Sequence, residues 1–290
     1  MNKYVKYGII SAVIILIIVV LVILNINKNN NDQKDDGVTK IVTSFYPMYI
    51  IAENITDGAQ NIELVNMADV NVGCLHDYTI TTEDMKKIEN ADIFIANGLG
   101  MENFLEKAIE SNMDMKVIDS SANITDVIQD EAETNAHIWT SIDNYILQVK
   151  NISNELINLD PQNSDIYQNN TDTYVNKLEE LKELNGIKAI SLNEAFEYMG
   201  KELGIEMTTI ETDHEESTMS AEMLKNIIDK VKQENIEMII IDKDDNESNA
   251  RAIADETGAK IYKLNSGLRG NLDTNAYIEQ IEENMQILTQ

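Results

Sequence analysis

The chain has 290 residues, and its 22 lysines and arginines stand against 51 aspartates and glutamates, which gives a formal net charge of −29 at pH 7. A charge of this sign and size repels nucleic acid and anionic membrane surfaces, and it leaves cations as partners. Hydrophobic residues make up 43% of the chain, which is typical of a folded protein rather than of an acidic disordered tail. The single cysteine, Cys74, excludes an intrachain disulfide and any multi-cysteine zinc module.

The first element in chain order is an uncharged apolar run at residues 7–26. As a helix it would span about 30 Å, which matches the hydrocarbon core of a bilayer. Lys3 and Lys6 precede it and a polar stretch follows it, so the positive-inside rule places everything after the run outside the cytoplasm. We predict a retained transmembrane helix rather than a cleaved signal peptide, because no small-residue cleavage site follows. Residues 1–37 would then be a membrane anchor and a tether.

From residue 40 onward, short β-branched runs alternate with amphipathic segments, which is the pattern of parallel α/β units. Two sets of four strands are predicted, and hence two α/β lobes, each with a mostly parallel sheet flanked by helices. The strands are residues 40–44, 62–65, 93–97, 116–119, 188–192, 206–210, 237–241 and 260–264. Thr81 and Asp84 predict a capping box at a helix start, and Ser220 predicts the start of a helix that runs to about Glu234.

Residues 161–184 separate the two sets of strands and have the apolar spacing of one long helix. At about 1.5 Å per residue, this helix would extend about 33 Å and join the lobes as a stiff strut. The predicted domains are therefore an N-terminal lobe at residues 38–160, a connecting helix at 161–186 and a C-terminal lobe at 187–290.

The three histidines are the candidate metal ligands that the residue types themselves suggest. His76 follows the second predicted strand, His137 the fourth and His214 the sixth. Ligands of open α/β sheets bind beyond the carboxyl ends of the strands, and imidazoles from separate loops are typical of sites for zinc and related metals. Scattered histidines are more often solvated or structural, so spacing alone leaves both interpretations open.

Six segments carry a family resemblance, and two of them are residues 159–181, LDPQNSDIYQNNTDTYVNKLEEL, and residues 273–288, DTNAYIEQIEENMQIL. Residues 76–106 read HDYTITTEDMKKIENADIFIANGLGMENFLE, residues 136–139 read AHIW, residues 189–205 read AISLNEAFEYMGKELGI, and residues 254–268 read ADETGAKIYKLNSGL. In chain order they resemble the substrate-binding proteins of zinc and manganese ABC importers, the TroA-like and ZnuA-like group. The resemblance extends from about residue 40 to the end of the chain. It implies two α/β lobes joined by a rigid helix, with a metal ion bound between them.

The resemblance places the four metal-ligand positions of the family on His76, His137, Asn193 and Asn265. Asn193 stands where the family usually has His or Glu, and Asn265 stands where it usually has Asp or Glu. Amide oxygens are weaker donors and bring no charge to offset a dication. The resemblance therefore implies a site with two imidazoles and two neutral amides.

Three interpretations of this site remain open. The histidines bind a transition metal with the asparagines or water; or Cys74 or His214 supplies a replacement ligand; or the site has decayed and the scaffold is a surface adhesion or interaction module. Cys74 is also consistent with a small buried residue and His214 with a solvated one. The acidic run at residues 242–247 has the charge to bind a hard cation, but a charge run of this kind is more often a solvated loop, which is the prediction here.

The resemblance and the apolar N-terminal segment together predict a membrane-anchored, extracytoplasmic substrate-binding component of a metal ABC importer. It would capture Zn²⁺ or Mn²⁺ as the transported ligand and deliver it to a permease and its ATPase. No organic cofactor, enzyme activity or nucleic-acid partner is expected, since the chain has no nucleotide-binding or catalytic motif. A monomer is expected. The alternative is the adhesion or interaction module.

Overall fold

The computed structural model describes residues 37–70, 72, 75, 78–129, 134–179, 187–210 and 219–288. The predicted membrane anchor at residues 7–26 lies outside these ranges. Within them, no helix combines the length and the apolar character needed to cross a bilayer.

The first four strands form one parallel sheet in the order β2-β1-β3-β4. They are β1 (Thr39–Thr43), β2 (Ile62–Asn66), β3 (Ile93–Ala96) and β4 (Lys116–Asp119), and the helices after the first three strands are α1 (Tyr46–Thr56), α2 (Thr82–Glu89) and α3 (Glu106–Ser111). β3 reads IFIA and is buried along its whole length. A continuous apolar run of this kind is typical of a strand that is covered on both faces.

Helix α2 begins at the capping box that the sequence predicts. Thr81 Oγ1 accepts the Asp84 N–H at 3.2 Å, and Asp84 Oδ2 accepts the Thr81 N–H at 2.8 Å. We expect Thr81→Ala to lower the free energy of unfolding by about 1 kcal/mol, because an N–H of the first turn loses its acceptor. Chemical denaturation measures the change. Thr82→Ala, at the exposed next position, is the control, and equal losses in the two variants would contradict this role of the box.

Two packed helices follow the first sheet. α4 (Ile142–Leu159) begins after Ser141, whose Oγ accepts the Asn144 N–H. A 3-10 turn at Pro161–Asn163 leads into α5 (Ser164–Glu179), which packs against α4 and α1. Of the predicted helix at residues 161–186, the structure therefore has an α-helix from Ser164 to Glu179 and a 3-10 turn at residues 161–163, and residues 180–186 lie outside the described ranges.

The second sheet repeats the topology of the first, with parallel strands in the order β6-β5-β7-β8. Its strands are β5 (Lys188–Ser191), β6 (Glu206–Thr209), β7 (Met238–Asp242) and β8 (Lys260–Leu264), and its helices are α6 (Glu197–Glu202), α7 (Ala221–Glu234) and α8 (Ser248–Thr257). Ser220 caps α7 as predicted. The two predicted sets of four strands are confirmed, and no strand end differs from its predicted position by more than one residue.

The last helix, α9 (Ala276–Leu288), contributes to the cores of both sheets. Tyr277 packs in the hydrophobic core of the first sheet, whereas Leu288 packs in a core of the second. The Tyr277 ring stacks on Tyr145 of α4, with centroids 3.6 Å apart, and its hydroxyl donates to the Trp139 carbonyl at 2.7 Å. α9 therefore ties the two sheets together at their junction.

Candidate metal site

The carboxyl ends of the second sheet bring a predicted ligand position next to an acidic side chain. In the order β6-β5-β7-β8, the strand order reverses between β5 and β7, and ligands of open α/β sheets bind at such a point. Asn193 follows β5 and Asp245 follows β7, and Asn193 Nδ2 donates to Asp245 Oδ2 at 3.2 Å. Asn193 Oδ1 accepts the Ala195 N–H at 2.9 Å. A carboxylate therefore stands beside the neutral amide at this point.

His137 lies at the start of the 3-10 turn Ile138–Thr140, and only 2% of it is exposed. Its Nδ1 is 2.9 Å from Asn135 Oδ1 and 3.6 Å from Glu194 Oε1. Because an amide oxygen can only accept a hydrogen bond, Nδ1 carries the proton of the neutral ring and Nε2 carries the lone pair. Nε2 is therefore the nitrogen through which His137 can bind a metal.

Asn265 follows β8 and is held in place by local hydrogen bonds. Its N–H donates to Asn284 Oδ1 at 2.7 Å, and its carbonyl accepts from Asn284 Nδ2 at 2.8 Å. Its Oδ1 accepts the Gly267 N–H at 3.0 Å. Next to it, Asp242 Oδ2 accepts the Ser266 N–H at 3.2 Å. A carbonyl oxygen has two lone pairs, so one lone pair of Asn265 Oδ1 is used in shaping this loop.

The remaining candidates, His76, Cys74 and His214, lie outside the described residues. In the part of the chain that the structure describes, no group of three or more His, Cys, Asp or Glu side chains is arranged to hold a metal ion.

Two neighbours of the predicted ligands, Asn135 and Glu194, were not predicted as part of the site. The only sequence feature that could have indicated them is their closeness to the predicted ligands. Asn135 precedes His137 by two residues, and Glu194 directly follows Asn193. In the acidic run, Asp245 is exposed as predicted for a solvated loop, whereas Asp242 is 7% exposed. Asp242 is the last residue of the buried strand β7, and its carboxylate accepts backbone N–H groups from two loops, which offsets the cost of its burial.

Known proteins with similar sequences bind metals. The chain is 26% identical to the manganese-binding lipoprotein MntA of Halalkalibacterium halodurans, over 85% of this chain and 86% of the relative. It is 27% identical to the high-affinity zinc uptake system protein ZnuA of Bacillus subtilis, over 81% and 80%. The solved structure of the SBP FpvC of Pseudomonas aeruginosa in complex with Mn²⁺ matches with a TM-score of 0.77 and 26% identity, over 87% of this chain and 97% of that chain.

The fold is that of the metal-binding substrate-binding proteins of transporters, a class whose members are not enzymes. The family described as zinc-uptake complex component A, periplasmic (ZnuA), matches residues 41–290, and the chain belongs to this family. The resemblance inferred from the motifs is thereby confirmed at the level of the family. Relatives with iron-binding and Ni²⁺-bound descriptions also match, so family membership does not by itself fix the ion.

Proposed function

We propose that this protein binds a divalent transition metal, zinc or manganese, between its two lobes and delivers the ion to the permease and ATPase of an ABC importer. The observation that supports this most directly is the position of His137. It follows the first sheet, it is buried, and its ring lies 3.6 Å from a carboxylate oxygen of Glu194, which follows the first strand of the second sheet. Imidazole suits zinc, and carboxylate or carbonyl oxygens suit manganese.

The proposed ligands are His76, His137, Asn193 and Asn265. His137 would bind through Nε2 and the asparagines through Oδ1, although each of these oxygens already accepts one backbone N–H. Because amide oxygens carry no charge, we expect weaker binding than at a site with a carboxylate in either position. Neutral oxygen donors also favour a harder cation over a thiophilic one.

We also propose that the protein lies on the extracytoplasmic side of the membrane, anchored by residues 7–26. The length of the apolar run and the lysines before it support this placement. Some relatives are described as lipoproteins, whereas the single cysteine of this chain, Cys74, lies far from the apolar run. In this protein an apolar helix would anchor the chain in the membrane, as a covalently attached lipid does in a lipoprotein.

Metal-dependent stabilisation of the full-length protein tests the proposed function. After chelation and removal of bound metal, Zn²⁺ or Mn²⁺ should raise the melting temperature, because a ligand that binds only the folded state adds about 2.7 kcal/mol at a hundredfold excess over Kd. The double variant His76→Ala, His137→Ala should lose this shift.

His214→Ala is the matched control for loss of a histidine. It should keep the metal-dependent shift, and a lost shift would identify His214 as a recruited ligand. No shift of the unsubstituted protein across a broad panel of divalent metals would contradict the proposed function. That result would leave the adhesion or interaction module, an alternative that the descriptions of the matched relatives do not favour.

A further inference from the structure

Asn135 is a buried amide that connects His137 to the second lobe. Its Oδ1 accepts two hydrogen bonds from His137, one from the backbone N–H at 3.0 Å and one from Nδ1–H at 2.9 Å. Its Nδ2 donates to Glu197 Oε2 at 2.7 Å and to the Glu194 carbonyl at 3.3 Å. The amide oxygen therefore has only donors as partners and the amide nitrogen only acceptors, which fixes the orientation of the Asn135 amide. This orientation in turn requires that Nδ1 of His137 carries a proton.

The backbone of Asn135 is held from the second lobe as well. The Tyr198 hydroxyl donates to the Asn135 carbonyl at 2.7 Å and accepts the Ile128 N–H at 2.9 Å. Asn135 is 4% exposed and Tyr198 is 2% exposed, so these bonds are protected from water. The orientation of His137 therefore depends on residues around α6 and not only on its own loop.

Glu194 places a negative charge at the same nitrogen. Its Oε1 lies 3.6 Å from His137 Nδ1, and its side chain is 22% exposed. Metal-binding histidines commonly direct their second ring nitrogen to a carboxylate or a carbonyl oxygen, which orients the ring and strengthens metal binding. Asn193 and Asn265 are neutral, whereas the family resemblance implies His or Glu at the first of these positions and Asp or Glu at the second.

We propose that Asn135 and Glu194 are positioning residues for metal capture. Asn135 holds Nδ1–H of His137 so that Nε2 faces the ion, and Glu194, 3.6 Å from Nδ1, supplies negative charge that the two asparagines lack. This inference rests on the proposed function, and it assigns part of the metal affinity to residues that do not contact the ion.

Metal titration of full-length variants tests the role of Glu194. Glu194→Gln keeps the size and an acceptor oxygen but removes the charge, and we expect its Kd for Zn²⁺ and Mn²⁺ to rise about 10- to 100-fold. The control is Glu206→Gln, which removes a carboxylate from the second lobe whose side chain is 75% exposed. Its Kd should change by no more than about fivefold, as expected for one screened surface charge. Equal changes in the two variants would overturn the proposal.

Nitrogen-15 NMR of the metal-free protein tests the positioning of His137 independently. Three histidines can be assigned by single substitutions, and His137 should show a protonated Nδ1 and an unprotonated Nε2. Asn135→Ala should mix the two tautomers while circular dichroism shows a folded protein. Metal binding by a protein whose His137 carries its proton on Nε2 would overturn this inference, whereas the expected tautomer without any metal binding would contradict the proposed function.

Discussion

Replacement of Trp139 by alanine is expected to lower the free energy of unfolding by about 3 to 5 kcal/mol. The indole is fully buried, and its ring packs edge-on against Phe45 with centroids 5.0 Å apart. Its Nε1–H donates to the Ser266 carbonyl, which follows the second sheet, at 3.0 Å. The substitution would therefore create a cavity next to the first sheet and leave a buried carbonyl next to the second without its donor.

Chemical denaturation monitored by circular dichroism measures this change. Tryptophan fluorescence cannot be used, because Trp139 is the single tryptophan and the variant lacks it. Met113→Ala is the control, since Met113 is 92% exposed and should lose little. Trp139→Phe keeps an aromatic ring but loses the N–H, so about 1 to 3 kcal/mol should be lost. A Trp139→Ala variant as stable as Met113→Ala would rule out this packing role.

Glu102 is expected to make the protein less stable as pH rises from about 4.5 to about 7. Glu102 is 7% exposed, and its carboxylate accepts the Asn97 N–H at 2.7 Å and the Gly98 N–H at 3.1 Å. Burial raises the pKa of Glu102 to about 7 despite these two donors, and Asp119 adds repulsion. Between the two pKa values the folded state keeps a proton that the unfolded state releases, so stability falls as pH rises, by up to about 3 kcal/mol.

Glu102→Gln isolates this effect, because glutamine stays neutral throughout. Relative to the unsubstituted protein, the variant should gain stability as pH rises from 4.5 to 7, by up to about 3 kcal/mol in denaturation experiments. Glu106→Gln, at an exposed position in the same segment, is the control and should not follow this trend. If the difference in free energy of unfolding between Glu102→Gln and the unsubstituted protein did not change with pH, the raised pKa of Glu102 would be contradicted.

The regular elements could be predicted because their signals are local. β-Branched runs locate every strand of both sheets, and the side chains of Thr81 and Ser220 mark helix starts by their own hydrogen bonds. The start of α5 was less predictable. Pro161 fits the first turn of an α-helix and a 3-10 turn equally well, since both accept its fixed φ and its missing N–H, and the structure has the 3-10 turn.

The site could be predicted only in outline. A motif predicts His137 as a candidate ligand, but the side chains around it come from distant parts of the sequence, and Asn135 and Glu197 are 62 residues apart. The spacing of apolar residues along the sequence does not predict a contact between residues so far apart. The sequence does not predict the charge of Glu194 beside His137 for the same reason. A family motif assigns single ligand positions, and it does not show which side chain a neighbouring residue contacts after folding.

The packing of α9 has a consequence for the order in which the chain folds. Tyr277 follows every strand of the second sheet in sequence, yet it completes the core of the first. A chain that emerges N-terminus first, from the ribosome or across a membrane, therefore cannot complete its first lobe until almost all of it has been released. We expect the two lobes to mature together, with the first lobe incomplete while the second is still emerging.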